Sequence, residues 1–167
     1  MDGTKRRKEI LESLRSSTIP ISGNYLAKLF KVSRQVIVQD IALLRVGGHK
    51  IFSTNKGYVF NEQQGFRRIF KVRHEDEEIS EELYTIVDLG GRVLDVFVNH
   101  QVYGELRADL FLVTREDIEW FNKKMALGKI NPLKNLTGDI HYHTVEADSQ
   151  EVLDKIQYAL AEKGYLI

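Results

Sequence analysis

The 167-residue sequence contains no cysteine, only two prolines and no long apolar run. A membrane-spanning helix needs roughly 18 or more consecutive apolar residues. The basic N-terminus also leads into an amphipathic pattern and not into the apolar core of a signal peptide. These absences predict a cytoplasmic protein with no membrane partner. Without thiolates a disulfide framework is excluded, and any bound metal ion must be held by imidazole and carboxylate groups.

The composition is that of a globular protein, with 43% hydrophobic and 29% charged residues and no low-complexity tract. A chain of this length suits two compact domains of about 60 and about 100 residues. We predict a first domain at residues 1–61 and a second at residues 66–167. The polar segment between them, Asn61 to Gly65, reads as a linker.

The formal net charge of zero hides two halves of opposite sign. Residues 1–60 contain eleven Lys and Arg against four Asp and Glu, whereas residues 61–167 contain thirteen against twenty. A basic small domain favours a polyanionic partner. The alternative at this stage is electrostatic attraction between two domains or subunits.

The N-terminal half has the pattern of three short helices followed by a β-hairpin. The predicted helices are residues 5–15, 23–30 and 34–45, and the predicted strands are residues 50–53 and 57–60. Ser33 can cap the third helix, in which Ile37, Ile41 and Leu44 recur at helical spacing and must face the core. The hairpin has the size of a wing.

This half resembles the winged helix-turn-helix domains of bacterial regulators. The resemblance is carried by VSRQVIVQDI at residues 32–41, then by Leu44 and by Gly57-Tyr58. It implies that the third helix enters the major groove of operator DNA. The expected base-contacting residues are Arg34, Gln35 and Gln39, and the expected phosphate contacts are Lys31, Ser33 and Lys56. A solvated helix face remains the alternative for each of them.

The C-terminal half predicts the order β-α-β-β-α-β-α, an α/β open-faced sandwich with an antiparallel sheet. The predicted strands are residues 67–74, 92–100, 102–110 and 138–148, and the predicted helices are residues 75–90, 114–128 and 149–163. Together with the winged helix-turn-helix, this makes a two-domain α/β protein.

Four of the five histidines lie in this half. His141 and His143 are two apart in a predicted strand, so their rings share one face and can share a metal ion. His74 ends the first strand of this half, just before an acidic helix in which Glu78 and Glu82 lie one turn apart. Three imidazoles and one carboxylate suit nickel, zinc or another borderline divalent ion. Spacing alone does not choose between the two glutamates.

This half resembles the 3H domain, a ligand-sensing module fused to such winged helices in niacin-responsive repressors of NAD biosynthesis. Three motifs carry the resemblance: KVRHEDEEISEELYTIVDLGG, VNHQVYGELRADL and TGDIHYHTVEA. It implies that a divalent transition metal, nickel or zinc, is held by His74, Glu82, His141 and His143. It also implies nicotinic acid as corepressor.

The residues that bind the effector are less defined by the resemblance. His100 matches another of the name-giving histidines and either lines the effector pocket or makes a structural pair. We predict effector contacts for His100, Tyr103 and Arg107, with Arg73 and Arg92 as other candidate partners of a carboxylate. A homodimer is expected, because a single small DNA-binding domain recognises too few base pairs to be specific for one DNA sequence.

Three functions remain open from the sequence. The first is a niacin-responsive repressor, the second a metal-responsive repressor with the ion as effector, and the third a small metalloenzyme. The enzyme is the least favoured, since the sequence has no evident lid, Gly-rich phosphate loop or nucleophile pair. We therefore expect a regulator and no enzymatic activity.

Overall fold

A computed structural model describes residues 2–62 and 65–167 and divides the chain into two compact units, residues 1–63 and 64–167. Gln63 and Gln64, in the predicted linker, lie outside the described residues. None of the helices in the described ranges is long and apolar enough to cross a membrane.

The N-terminal unit has three helices and a hairpin, as predicted. The elements are α1 (Gly3–Ser16), α2 (Gly23–Phe30), α3 (Arg34–Val46), β1 (Ile51–Ser53) and β2 (Tyr58–Phe60). The hydroxyls of Ser22 and Ser33 accept hydrogen bonds from the Tyr25 and Val36 amides and so cap α2 and α3. The antiparallel pairing of β1 and β2 forms the wing.

The core of this unit is the apolar side of the three helices. Ile37, Ile41 and Leu44 are buried, as their spacing predicts. Asp40, also buried, accepts a hydrogen bond of 2.6 Å from Arg6 and so ties α3 to α1. Arg7 also pairs with Asp40, at 3.4 Å, so the inward side of α3 is fixed by packing and by two ion pairs.

The C-terminal unit has the predicted order of strands and helices. The elements are β3 (Phe66–Arg73), α4 (Ile79–Asp88), β4 (Arg92–His100), β5 (Gly104–Leu112), α5 (Arg115–Gly128), β6 (Ile140–Ala147) and α6 (Gln150–Glu162). A 3-10 turn at Asp76–Glu78 precedes α4, and another spans Leu133–Thr137. The strands form one antiparallel sheet in the order β3-β6-β4-β5, which confirms the predicted fold class.

One boundary differs from the prediction. The strand predicted to begin at Val102 begins at Gly104, because His100 pairs with Gly104 and residues 101–103 form the hairpin turn. Gly104 has φ +73°, a conformation that glycine adopts without steric cost. Val102 and Tyr103 lie in this turn, and their apolar character extended the predicted strand two residues too far towards the N-terminus.

The three helices cover one face of the sheet. One buried cluster joins residues of the strands to residues of all three helices, among them Val72, Ile86, Ile118, Val145 and Ile156. Side chains alternate along a strand, so the register places the remaining residues on the opposite face. We call that side of the sheet the open face; it includes Ile69, Lys71, Phe97, Arg107, Asp109 and Tyr142.

Candidate metal centre

Three histidines and one glutamate meet beneath the helices. His74 follows the last residue of β3, and His141 and His143 lie on β6 with their rings on the helix-covered face. Glu82 lies in the first turn of α4. All four are buried, with Glu82 only 1% exposed. The strand alternation and the helix start therefore bring together side chains up to 69 positions apart in the sequence.

The imidazole Nε2 atoms converge on the Glu82 carboxylate. His74 Nε2 lies 2.7 Å and His141 Nε2 3.5 Å from Oε2, and His143 Nε2 lies 3.4 Å from Oε1. Donor atoms of His74, Glu82 and His141 all lie within 4.8 Å of one another. Oε1 is buried and makes no hydrogen bond to any described residue. A buried oxygen without a hydrogen bond, surrounded by imidazole nitrogens, fits a bound divalent ion.

The other ring nitrogen of each histidine is held by a backbone carbonyl. The Nδ1 atoms lie 2.8 Å from the Glu75 oxygen for His74, 2.9 Å from the Asp139 oxygen for His141 and 2.7 Å from the Asp95 oxygen for His143. A carbonyl oxygen can only accept, so each Nδ1 carries the proton and donates it. The neutral ring then has its Nε2 lone pair free for a metal ion, and this orientation is typical of metal-binding histidines.

The charges of the cluster are coupled. Burial acts against the charge of Glu82, but the positive charge of His143 and the close approach of the three histidine side chains outweigh it, and the pKa of Glu82 is well below its ordinary value. Burial also acts against protonation of His74 and His143, but hydrogen bonding to Glu82 and its charge raise the pKa of both. Burial lowers the pKa of His141. Protons on His74 and His143 thus occupy positions that a cation can take.

The cluster forms one end of a cavity of about 720 Å³. Glu82, His141 and His143 line it together with apolar side chains of β4, β5 and α5, among them Val96, Leu110, Phe121 and Met125. This volume lies in the range of small-molecule sites, which combine apolar walls with a few polar groups. The cavity can therefore hold an aromatic ring against a metal ion.

A buried lysine fixes one wall of the cavity. Lys134, 3% exposed, lies 2.6 Å from both Asp76 and Asp139. These two ion pairs join the 3-10 turn after His74 to the segment before His141. They hold in place the backbone carbonyls next to the metal-binding residues. The ammonium is shared between two carboxylates, so it stabilises the wall and offers little free charge to a ligand.

Comparison with known proteins identifies the family. A model of the 3H domain matches residues 67–167, and a model of an HTH domain matches residues 6–59. The chain is 44% identical to the probable transcription repressor NiaR of Thermotoga maritima over 164 residues, which cover 98% of this chain and 94% of that protein. The chain belongs to the 3H-domain family of transcription repressors. It is 40% identical to the transcription repressor NadR of Bacillus subtilis over an alignment of 170 positions, covering 99% and 94% of the two chains.

Membership in this family makes the protein a DNA-binding transcription regulator and not an enzyme. The resemblances described from the sequence are thereby confirmed for both the winged helix-turn-helix and the 3H domain. The assignments of individual residues to metal, effector and DNA are matters for the geometry.

The residues predicted to contact DNA lie at the start of α3, before it and in the wing. Arg34, Gln35 and Gln39 are exposed on α3 and point away from its buried side. Lys31 ends α2 in a left-handed conformation, Ser33 caps α3, and Lys56 lies in the turn between β1 and β2. The repressor therefore presents its predicted base-contacting residues on one exposed stretch of helix.

The predicted effector residues lie apart from the metal centre. None of His100, Tyr103 and Arg107 lines the 720 Å³ cavity. His100 Nδ1 accepts hydrogen bonds of 3.2 Å from the amides of Val102 and Tyr103, which gives it a structural role in the hairpin turn. Arg107 lies on the open face and pairs with Asp95.

Sequence reasoning did not find the residues that support the centre. Asp95 orients His143 through its backbone oxygen, and Lys134 and Phe121 form the cavity. A contact made by a backbone oxygen does not depend on the residue type, so the sequence does not reveal it. A sequence also does not show whether a lysine is buried or exposed. Glu75 and Asp139, whose carbonyls orient His74 and His141, do lie inside motifs recognised in the sequence.

Proposed function

We propose that this protein represses genes of NAD biosynthesis or niacin uptake, with nicotinic acid as corepressor. It acts in the cytoplasm as a homodimer on operator DNA. A divalent transition metal, nickel or zinc, is held by His74, Glu82, His141 and His143. The observation that carries the proposal is the convergence of three carbonyl-oriented Nε2 atoms on Glu82 at one end of an apolar cavity.

Nicotinic acid suits this arrangement chemically. Its ring nitrogen or its carboxylate can complete the coordination of a metal ion that has an open position. The flat ring fits between apolar side chains such as Val96, Leu110 and Phe121. This supports a corepressor in the cavity beside the metal centre and not near His100 or Arg107.

Calorimetric titration with nicotinic acid tests this assignment directly. Metal-replete and chelator-stripped full-length protein are compared, with nicotinamide as the control ligand. We expect nicotinic acid to bind only the metal-replete protein. Equal binding to both forms would remove the metal from the effector site, and no binding to either would overturn nicotinic acid as corepressor.

A metal-responsive repressor is the second candidate. It is favoured by the buried negative charge of Glu82, because a cation that binds there changes the charge of a closed cluster. DNA affinity that rises with metal concentration in the absence of any pyridine would support the ion as effector. DNA affinity that needs both metal and nicotinic acid would support the first candidate.

The DNA-binding part of the proposal predicts an effect of Arg34→Ala. An arginine that makes two hydrogen bonds to guanine contributes to specific binding, so its loss should weaken operator binding by about 1 to 3 kcal/mol. Binding to unrelated DNA should change far less. Fluorescence anisotropy with operator and random duplexes measures both, with Lys123→Ala, at an exposed position of the C-terminal unit, as the control variant. Unchanged operator affinity would make Arg34 a surface residue.

A further inference from the structure

The open face of the sheet is charged at its two edges with opposite sign. On β3 it carries Lys71 and Arg73, and neither makes an ion pair with a described residue. On β5 it carries Glu105 and Asp109; Glu105 pairs with Arg107 at 2.9 Å, and Asp109 has no ion pair within the described ranges. The cationic edge and the anionic edge are separate features of one surface.

These charges cannot neutralise each other within one copy of the chain. The strand order β3-β6-β4-β5 separates the two edges by three strand spacings, about 14 Å. That exceeds the Debye length of about 8 Å at physiological ionic strength. A second sheet placed face to face and turned about an axis parallel to the strands brings each cationic edge against an anionic edge.

We propose that the open face is the surface through which two copies of this chain pair, with β3 of each copy against β5 of the other. The inference rests on the homodimeric repressor proposed above and assigns its surface in residues 65–167. A two-fold arrangement uses the same patch on both subunits, so the patch must be complementary to itself.

The strand register gives the contacts that such an axis produces. Arg73 lies in the row of Ile140 and Glu105, so it meets Glu105 of the partner subunit. Tyr142 and Phe97 are paired in the next row and stack at 4.9 Å. Phe97 is 5% exposed and lies beneath the Arg107 guanidinium, so Tyr142 is the ring that faces the partner subunit at the centre. The charged edges thus flank an aromatic centre.

Lys71 and Ile69 complete the pattern on β3. Lys71 lies in the row of Arg107, whose guanidinium is already paired with Asp95 and Glu105. Its ammonium therefore falls between the rows of Glu105 and Asp109, within reach of either carboxylate of the partner subunit. Ile69 is 56% exposed, and a facing sheet would bury it.

The surface has the size of a specific interface. Four strands of about eight residues span about 15 by 26 Å between backbone axes, and sheets that pack face to face lie about 10 Å apart. With side chains that project on every side, this approaches the roughly 800 Å² that each partner contributes to a standard interface. The mixed polar and aromatic character fits an association that can change with a ligand.

One residue links this surface to the metal centre. Asp95 accepts a hydrogen bond from His143 through its backbone oxygen and pairs with Arg107 through its carboxylate. The same carboxylate accepts the Thr144 amide at 2.9 Å. A shift of His143 on ligand binding therefore reaches the open face through a single residue. Dimer geometry, which sets the spacing of the two reading heads, would respond to the effector.

Charge reversal on each edge tests the proposal with full-length protein. Sedimentation equilibrium is measured for wild type, for K71E/R73E and for E105K/D109K. We expect each double variant to raise the dimer Kd by at least about tenfold, because like charges then meet in both contacts of the homodimer. A one-to-one mixture should restore a dimer close to wild-type affinity, since both contacts of the mixed dimer again join opposite charges.

The variant K123E/K155E is the matched control. It changes the net charge by the same amount as K71E/R73E, but at exposed positions of α5 and α6 on the covered side of the sheet, and it should leave the dimer Kd unchanged. Raising the salt concentration should weaken the wild-type dimer. Circular dichroism checks that all variants are folded.

Three results would overturn the proposed dimer surface. The first is a dimer Kd that neither charge reversal changes, and the second is a mixture of the two variants that does not restore the dimer. The third is a wild-type protein that is monomeric. The calorimetric titration separates this failure from that of the proposed function. If nicotinic acid binds but the charge reversals leave the dimer Kd unchanged, only the open face is rejected as the dimer surface. If the charge reversals act as expected but nicotinic acid does not bind, only the corepressor assignment is rejected.

Discussion

At the scale of residues, the proposed metal centre depends on hydrogen bonds that orient the histidine rings more than on the number of histidines. Each of His74, His141 and His143 is fixed through Nδ1 by a backbone carbonyl. Fixing the ring before the ion binds reduces the entropy that binding must oppose. His100, in contrast, receives hydrogen bonds at Nδ1 from amides of its own turn and is not among the residues that line the cavity.

Replacing the paired histidines on β6 should separate sensing from DNA binding. We expect H141A/H143A to abolish the response to metal and nicotinic acid, because two of four proposed ligands are lost, and to leave nonspecific DNA affinity largely intact. Anisotropy with and without effector measures this. His100→Ala is the control with the same side chain removed elsewhere, and it should keep the response. A wild-type response in H141A/H143A would reject the metal centre.

Metal affinity should fall as the pH falls below neutrality. The pKa values of His74 and His143 are raised by Glu82, and an ion must displace the protons that these rings hold. A ligand that competes with protons binds more weakly at lower pH and releases protons on binding. Calorimetry at pH 8 and at pH 6 in buffers of different ionisation enthalpy measures both quantities. An affinity independent of pH, with no proton release, would contradict the assigned ligands.

At the scale of elements, short local signals place the helices and the wing. Serine caps begin α2 and α3, and Thr114 and Ser149 cap α5 and α6 in the same way. The wing also depends on a close approach, since Tyr58 pairs with Ile21 beside Gly57. Gly57 has φ +145°, and a Cβ there would lie 2.3 Å from the Ile21 oxygen.

Gly57→Ala should therefore disrupt the wing. Both the unfavourable φ and the backbone clash oppose it, and we expect the N-terminal unit to lose about 3 kcal/mol of unfolding free energy. Gly48→Ala is the matched control: φ is +89°, but nothing lies within 4 Å of the added Cβ, so the loss should be about 1 kcal/mol. Hydrogen exchange of residues 2–62 reports the difference. Equal effects of the two substitutions would show that the clash is relieved by movement.

At the scale of the whole molecule, the chain consists of two units of opposite net charge with different roles. The basic unit carries the helix-turn-helix, and the acidic unit carries the proposed metal centre and the open face. Every proposed ligand of the ion lies in residues 65–167. A bound ion should therefore raise the free energy of unfolding of the C-terminal unit only.

Chelation should lower the stability of the C-terminal unit alone. An ion present at a thousand times its Kd stabilises the folded state by about 4 kcal/mol. We expect stripped protein to lose hydrogen-exchange protection in β3, β6 and α4, while α1, α2 and α3 keep theirs. H141A/H143A, which lacks two ligands, should show no change on chelation. A uniform loss of protection across both units would contradict a centre confined to residues 65–167.

The sequence by itself determined the order of elements, the family and the inward side of α3. Ile37, Ile41 and Leu44 recur at helical spacing, and HxH on a strand puts two rings on one face; such periodicities are local and do not depend on what packs against them. The resemblance also implied Glu82 over Glu78, and the structure places Glu82 among the three histidines. Residue type and spacing were enough for the helix face and the paired histidines, whereas the choice of Glu82 needed the family resemblance.

Only the tertiary structure showed a cavity beside the proposed metal centre and which charges on the sheet lie unpaired. The cavity is formed by residues of β4, β5 and α5 beside the centre, and the order β3-β6-β4-β5 sets Lys71 and Arg73 far from Asp109. Strand order and backbone hydrogen bonds, such as that between His143 and the Asp95 oxygen, join positions distant in the chain through groups that every residue has. Such contacts leave no mark on residue identity, so no reading of the sequence alone contains them.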